Sequence, residues 1–280
     1  MKNFFTRVSR QLLVWLSVLS VCFLAACSAT HPPTENNQPR ALTQGEAERL
    51  GVSRFRNYDA GVREINLVIP PTNGQERIQL VGWVDFVNHL GYVSVSEGDE
   101  GLAISTGNVI WNGTTLAIAP PTTKVAAQLP IAELGSQSWT TTTLDGQTSA
   151  LTASLLFLLS LGSDRPENSV LLAQSDAAWL RSTEVSGHAV DVFAAPRSSS
   201  SATESLEAPT ASTAPSALSD SDFSNRILWS VDDTGLPWQV DFSLSLVRAK
   251  LVLGEVTPTE SQVNLTAIND ILGGEVSSDS

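Results

Sequence analysis

Residues 78–87 read Ile78-Gln79-Leu80-Val81-Gly82-Trp83-Val84-Asp85-Phe86-Val87. Ile78, Leu80, Val84 and Phe86 fall on one side of an extended chain, and Val81, Trp83 and Val87 on the other. A sheet with one wet face needs only one apolar side. This strand is apolar on both, so it needs cover on both.

Working outward, the neighbours repeat the strand-and-turn pattern. Upstream, Arg63 to Ile69 is β-branched and apolar and stops at Pro70-Pro71. Downstream, Tyr92, Val93 and Val95 begin another run. Val109-Ile110-Trp111-Asn112-Gly113-Thr114-Thr115-Leu116 reads as a hairpin, with Asn-Gly expected at positive φ in a type I′ turn. The segment is an antiparallel meander. Ahead of it, Thr43 and Glu46 stand in capping-box spacing and predict a helix over 44–58.

The second half alternates helix and strand signals. Residues 148–161 carry Leu151, Leu155, Leu156, Phe157, Leu158, Leu159 and Leu161, apolar nearly all round, with Gly162 expected as the C′ stop. Asn168 is placed to cap a short helix holding Val170, Leu171 and Leu172. Strands follow at 177–180 and 188–193. Ile227–Val231 and Trp238–Phe242 flank Asp232-Asp233-Thr234-Gly235 as a hairpin, and 249–256 reads as the last strand. Between them, about 197–222 is Ser/Ala/Thr/Pro-rich without periodicity and reads as a disordered loop within one domain.

The N-terminus reads as an address. Lys2, Arg7 and Arg10 precede an apolar run from Leu12 to Ala26, too short for a spanning helix and built like a signal peptide. Leu24-Ala25-Ala26-Cys27 resembles the bacterial lipobox, which implies acylation of Cys27 and cleavage before it. The expected organisation is a signal at 1–26, an acylated Cys27 with a Pro-rich tether to 41, one domain over 42–272, and an acidic tail over 273–280. The tether could reach roughly 45 Å at about 3.3 Å per residue.

Charge and composition narrow the function. The chain has 280 residues, 16 Lys+Arg against 29 Asp+Glu. Three basic residues leave with the signal, so 13 stand against 29 acidic and the mature net charge is −16. That balance argues against nucleic acid. No phosphate-loop, dinucleotide or nucleophile-elbow motif occurs. His31, His89 and His188 have no ligand partners nearby in sequence, so no metal is expected. Glu97-Gly98-Asp99-Glu100-Gly101 lacks the ligand spacing of an EF-hand and reads as a solvated turn. No cofactor and no catalytic set emerge, so the chain is not read as an enzyme.

A lipobox, a tether, a helix, a meander with Gly82-Trp83-Val84-Asp85-Phe86, then helices, then Gly187-His188-Ala189-Val190-Asp191-Val192 and the hairpin of Leu228-Trp229-Ser230-Val231-Asp232 with Gly235-Leu236-Pro237 resemble the LppX/LprG lipoproteins, relatives of the LolA and LolB carriers. The resemblance covers about 42–256. It implies an α+β fold: a strongly curved antiparallel sheet, or half-barrel, with helices packed across its concave face and an apolar cavity between them. It further implies a lipid-anchored protein on the extracytoplasmic side of the cell membrane that binds or carries a lipid-like ligand. Trp83, Phe86, Leu155, Phe157, Leu158 and Trp229 are the candidate lining residues. The alternative is a non-catalytic structural or protein-interaction lipoprotein whose tryptophans fill the core.

Overall fold

Alternating β-branched and aromatic residues between turns build a single antiparallel sheet. The computed structural model describes residues 38–72, 74, 76–99, 104–120, 134, 138–147, 149–197, 223–244, 247–257 and 265–273. These lie within one compact unit, 38–280. The expected signal, Cys27, most of the tether, the Ser-rich loop and the tail after Gly273 lie outside the described residues, as do Glu100 and Gly101.

Among the described residues are twelve strands and four helices. In chain order they are β1 (Arg40–Ala41), α1 (Gln44–Ala60), β2 (Val62–Ile69), β3 (Ile78–Asp85), β4 (Leu90–Glu97), β5 (Ile104–Trp111), β6 (Thr115–Ala119) and β7 (Thr140–Thr143), then α2 (Ala150–Ser160), α3 (Ser169–Gln174), β8 (Ala178–Val185), β9 (His188–Ala194), β10 (Leu228–Val231), β11 (Pro237–Leu244), β12 (Val247–Thr257) and α4 (Leu265–Leu272). The sheet order is β1-β8-β9-β10-β11-β12-β2-β3-β4-β5-β6-β7. Two meanders therefore join where β12 pairs with β2, and the sheet is open, ending on β1 and β7.

Register lines up one apolar row across eight strands. Trp179, Phe193, Trp229, Val240, Leu251, Leu67, Leu80 and Val95 are successive cross-strand partners. All are buried on the face covered by α1, α2 and α3. The sheet curls around those helices. Trp111 of β5 donates from Nε1 to the Leu155 carbonyl of α2 at 3.0 Å, while Phe157, two residues on, stacks on Phe242 of β11 with centroids 4.0 Å apart. Strands β5 and β11 stand five places apart in the sheet, about 24 Å if it were flat. One helix turn reaches both only because the sheet is bent.

The other face carries a second row, Trp83-Tyr92-Ile110-Ala117, in register over β3 to β6. It is covered by Ile268 and Leu272 of α4, with Leu134 and Trp139. The helices are thus not all on the concave face: three are, and α4 is on the outer one. Of the two apolar sides read at 78–87, Ile78, Leu80, Val84 and Phe86 pack in the inner core, whereas on the outer side Trp83 is covered, Val81 is half-buried and Val87 is exposed.

Several local readings change. Neither Asn112 nor Gly113 adopts positive φ. The Asn112 side-chain oxygen instead accepts from the Thr114 and Thr115 amides at 2.9 and 2.8 Å, closing the β5–β6 turn without a left-handed residue. Gly162 is not a left-handed stop either. A Cβ there would sit 2.9 Å from the Phe86 side chain, so glycine permits the close approach of the α2 end to β3. The tether is shorter than expected, because Arg40 and Ala41 pair with Trp179 and Ala178. Strands β1 and β7 and helix α4 were not anticipated. The α1 capping box is present, with Thr43 accepting from the Glu46 amide. Asp232 closes the β10–β11 turn by accepting from the Thr234 and Leu236 amides and from Trp238 Nε1.

Candidate ligand-binding cavity

A cavity of about 270 Å³ lies between α1, the end of α2, the approach to α3 and the ends of β9 and β10. Its apolar wall is Leu50, Phe157, Leu161, Leu172, Ala195, Pro196, Ile227 and Trp229. Each element has a reason to be there. The α1 stripe places Leu50, Ser53 and Arg54 one turn apart on the inward side. Gly51 lets α1 approach the segment before α3, where the Glu167 amide donates to the Gly51 carbonyl at 2.8 Å. The α3 cap, Asn168, accepts from the Val170 and Leu171 amides and turns Leu172 inward. The Ala195 amide donates to Ile227 O at 2.9 Å, tying the β9 exit to the approach to β10.

The mouth is polar and charge-balanced. Arg54 donates from Nε to Ser160 O at 2.8 Å and from Nη1 to Glu167 Oε1 at 3.4 Å. Both charged side chains are partly exposed, so this pair is a weak tie. An apolar pocket with a few polar groups at its opening suits a hydrocarbon segment inside and a polar group outside. At 270 Å³ it lies just under the usual range for ligand pockets, about 300–1,000 Å³. It would admit one narrow apolar moiety as it stands.

Of the six lining residues expected from sequence, Phe157 and Trp229 border this cavity. Phe86, Leu155 and Leu158 are buried in the same core but do not border it. Trp83 lies on the opposite face, under α4, stacked with Tyr92 at 6.0 Å; its Nε1 is buried without an acceptor among the described residues. Leu50, Leu161, Leu172, Ala195, Pro196 and Ile227 were missed, as were the polar Ser53, Arg54, Ser160 and Glu167. Leu50 and Leu172 belonged to recognised helices, but their facing surfaces meet only through the fold. Among the described residues no group of three or more His, Cys, Asp or Glu converges as a metal site would require.

No family model matches the chain, and no curated protein does. Among solved structures, LprF from Mycobacterium bovis is similar over 79% of this chain and 97% of that one, at 7% identity and a TM-score of 0.44. A likeness so distant carries no argument about the activity of this chain.

Proposed function

We propose that the protein is a lipoprotein, anchored through Cys27 on the extracytoplasmic side of the cell membrane, that binds an apolar, lipid-like ligand without a catalytic step. The observation that carries this reading is the cavity among α1, α2, α3 and Trp229, with eight apolar wall residues and a neutralised polar mouth. The lipobox reading of residues 24–27 supplies the location. The test is native mass spectrometry of the acylated protein extracted from its own membrane, beside the Ile227→Trp variant. Bulk added at Ile227 should displace a co-purifying apolar ligand while leaving thermal unfolding within a few degrees. A wild type that never carries such a ligand and never takes up a fluorescent fatty acid would overturn it.

A second reading, a non-catalytic envelope structural or interaction protein, draws on the packing beside the cavity. Trp111, Phe86, Leu155 and Leu158 are fully buried between α2 and the sheet. In that case the Ile227→Trp variant would be indistinguishable from wild type in every ligand measurement.

A further inference from the structure

We infer that α3 is a membrane-docking element that seats the cavity mouth on the bilayer holding the protein's own anchor. This rests on the lipid-anchor and ligand-binding reading above. Val170 and Leu171 are 51% and 63% exposed, and they are the one adjacent pair among the large exposed apolar side chains of the described residues. The next residue, Leu172, turns inward and lines the cavity. One short helix therefore presents apolar groups outward and forms the cavity wall with the residue that follows.

The occupant follows from where the anchored chain enters the fold. The described chain begins at Gln38, eleven residues after Cys27, a reach of at most about 36 Å. It then forms β1 and enters α1, whose first residue, Gln44, donates from Nε2 to Ser169 Oγ of α3 at 3.5 Å. The chain that leads from the anchor thus enters the described fold beside α3. Two ion pairs flank this end, Arg54 with Glu167 and Arg165 with Asp164 at 3.8 Å, beside the carboxylate of Glu48, which accepts from Gln44 Nε2 at 2.9 Å. An apolar-tipped surface whose acidic groups are largely ion-paired meets a phospholipid interface with less repulsion than a strongly acidic one would. Two side chains are too few to recruit a free protein. Held by the anchor, they bind intramolecularly at high effective concentration. A ligand's hydrocarbon segment would then pass between bilayer and cavity beside α3.

The test uses the full acylated protein in phosphatidylcholine/phosphatidylglycerol vesicles. An environment-sensitive dye is attached at Leu171→Cys, and in a second preparation at Ile104→Cys, an exposed β5 position six strands from β10. Vesicle flotation reports the anchor, quenching by spin-labelled lipid reports docking, and native mass spectrometry reports the ligand. Several-fold stronger quenching at 171 than at 104, with both variants floating and melting like wild type, is the expected result. Equal quenching at the two sites in floating protein overturns the docking while leaving anchor and ligand intact. Protein that does not float overturns the anchor and this inference together. A missing ligand alongside selective quenching overturns the cavity reading alone.

Discussion

Arg63 is fully buried and, among the described residues, has no carboxylate at ion-pair distance. Its guanidinium donates to Asn57 Oδ1 at 2.8 Å, Pro237 O at 2.6 Å, and Gly254 O at 3.1 and 2.7 Å. Asn57 in turn donates to Leu161 O at 3.1 Å. One cation thus joins the end of α1, the end of α2, the start of β11 and β12. Burial pushes its pKa down to about 10, so it stays charged at neutral pH. Arg63→Met keeps the stem but orphans three acceptors, at about 1–3 kcal/mol each when buried. A loss of at least about 3 kcal/mol should appear in urea unfolding; an unchanged midpoint would show that water replaces the donors. Glu46 predicts a pH effect. Burial raises its pKa, but the Arg40 hydrogen bond and the Thr43 cap outweigh this and hold it at about 2. A depressed carboxylate pKa contributes stability above its unfolded value, near 4.5, that is lost as pH falls through the folded value near 2. The linkage is at most about 3 kcal/mol, and less because Arg40 is half-exposed. Asp191 and Asp232 shift the same way, and Asp241, raised by burial, the opposite way. Glu46→Gln should therefore flatten the melting temperature between pH 5 and 2, not between 6 and 8. The Thr43–Glu46 box was legible because its partners stand three residues apart. The Arg63 network was not, because Pro237 and Gly254 lie 174 and 191 positions along the chain.

At the scale of elements, Trp111 couples β4, β5 and α2. Its ring covers Gly91, its cross-strand partner, so closely that a Cβ there would lie 2.1 Å from the ring. The ring cannot swing aside without breaking its bond to Leu155 O. Alanine ordinarily strengthens a strand relative to glycine. Here overpacking decides the sign, and Gly91→Ala should cost about 1–3 kcal/mol. In a Trp111→Leu background the same change should cost less, a coupling that a double-mutant cycle reads directly; strict additivity would separate the two sites. Helix α1, the first meander and the β10–β11 hairpin were legible because caps, alternation and turn residues are local signals. Strand β7 was not, since Thr140–Thr143 has no apolar alternation and is exposed throughout at the edge. Helix α4 was overlooked because it is only eight residues long, although Asn264 precedes it in the sequence and Leu265, Ile268 and Leu272 stand at helical spacing. Its apolar positions, Leu265, Ile268 and Leu272, acquire meaning only once the outer Trp83-Tyr92 row needs cover.

Across the whole molecule, the bent sheet leaves one helix with two environments on adjacent residues. Leu158 is fully buried between α2 and the sheet, whereas Phe157 is half-buried and borders the cavity near Ser160 and Glu167. Arginine placed at each position should separate these environments. From Phe157, the aliphatic stem can occupy the cavity and carry the guanidinium to the polar mouth beside Glu167. The loss of the stack on Phe242 lowers stability, yet the charge reaches water. Phe157→Arg should fold, melt a few degrees lower, and bind a fluorescent fatty acid far more weakly. From Leu158 there is no such path. An unpaired buried charge costs several kcal/mol, comparable to the stability of a whole domain. Leu158→Arg should give little soluble protein and no cooperative transition. Soluble yield, thermal unfolding and probe binding of the two variants, expressed identically, decide the matter. If Leu158→Arg melts like wild type, the space between α2 and the sheet is open and the cavity extends beyond its observed walls. If Phe157→Arg folds and binds the probe normally, the ligand does not use the space between α1 and α2.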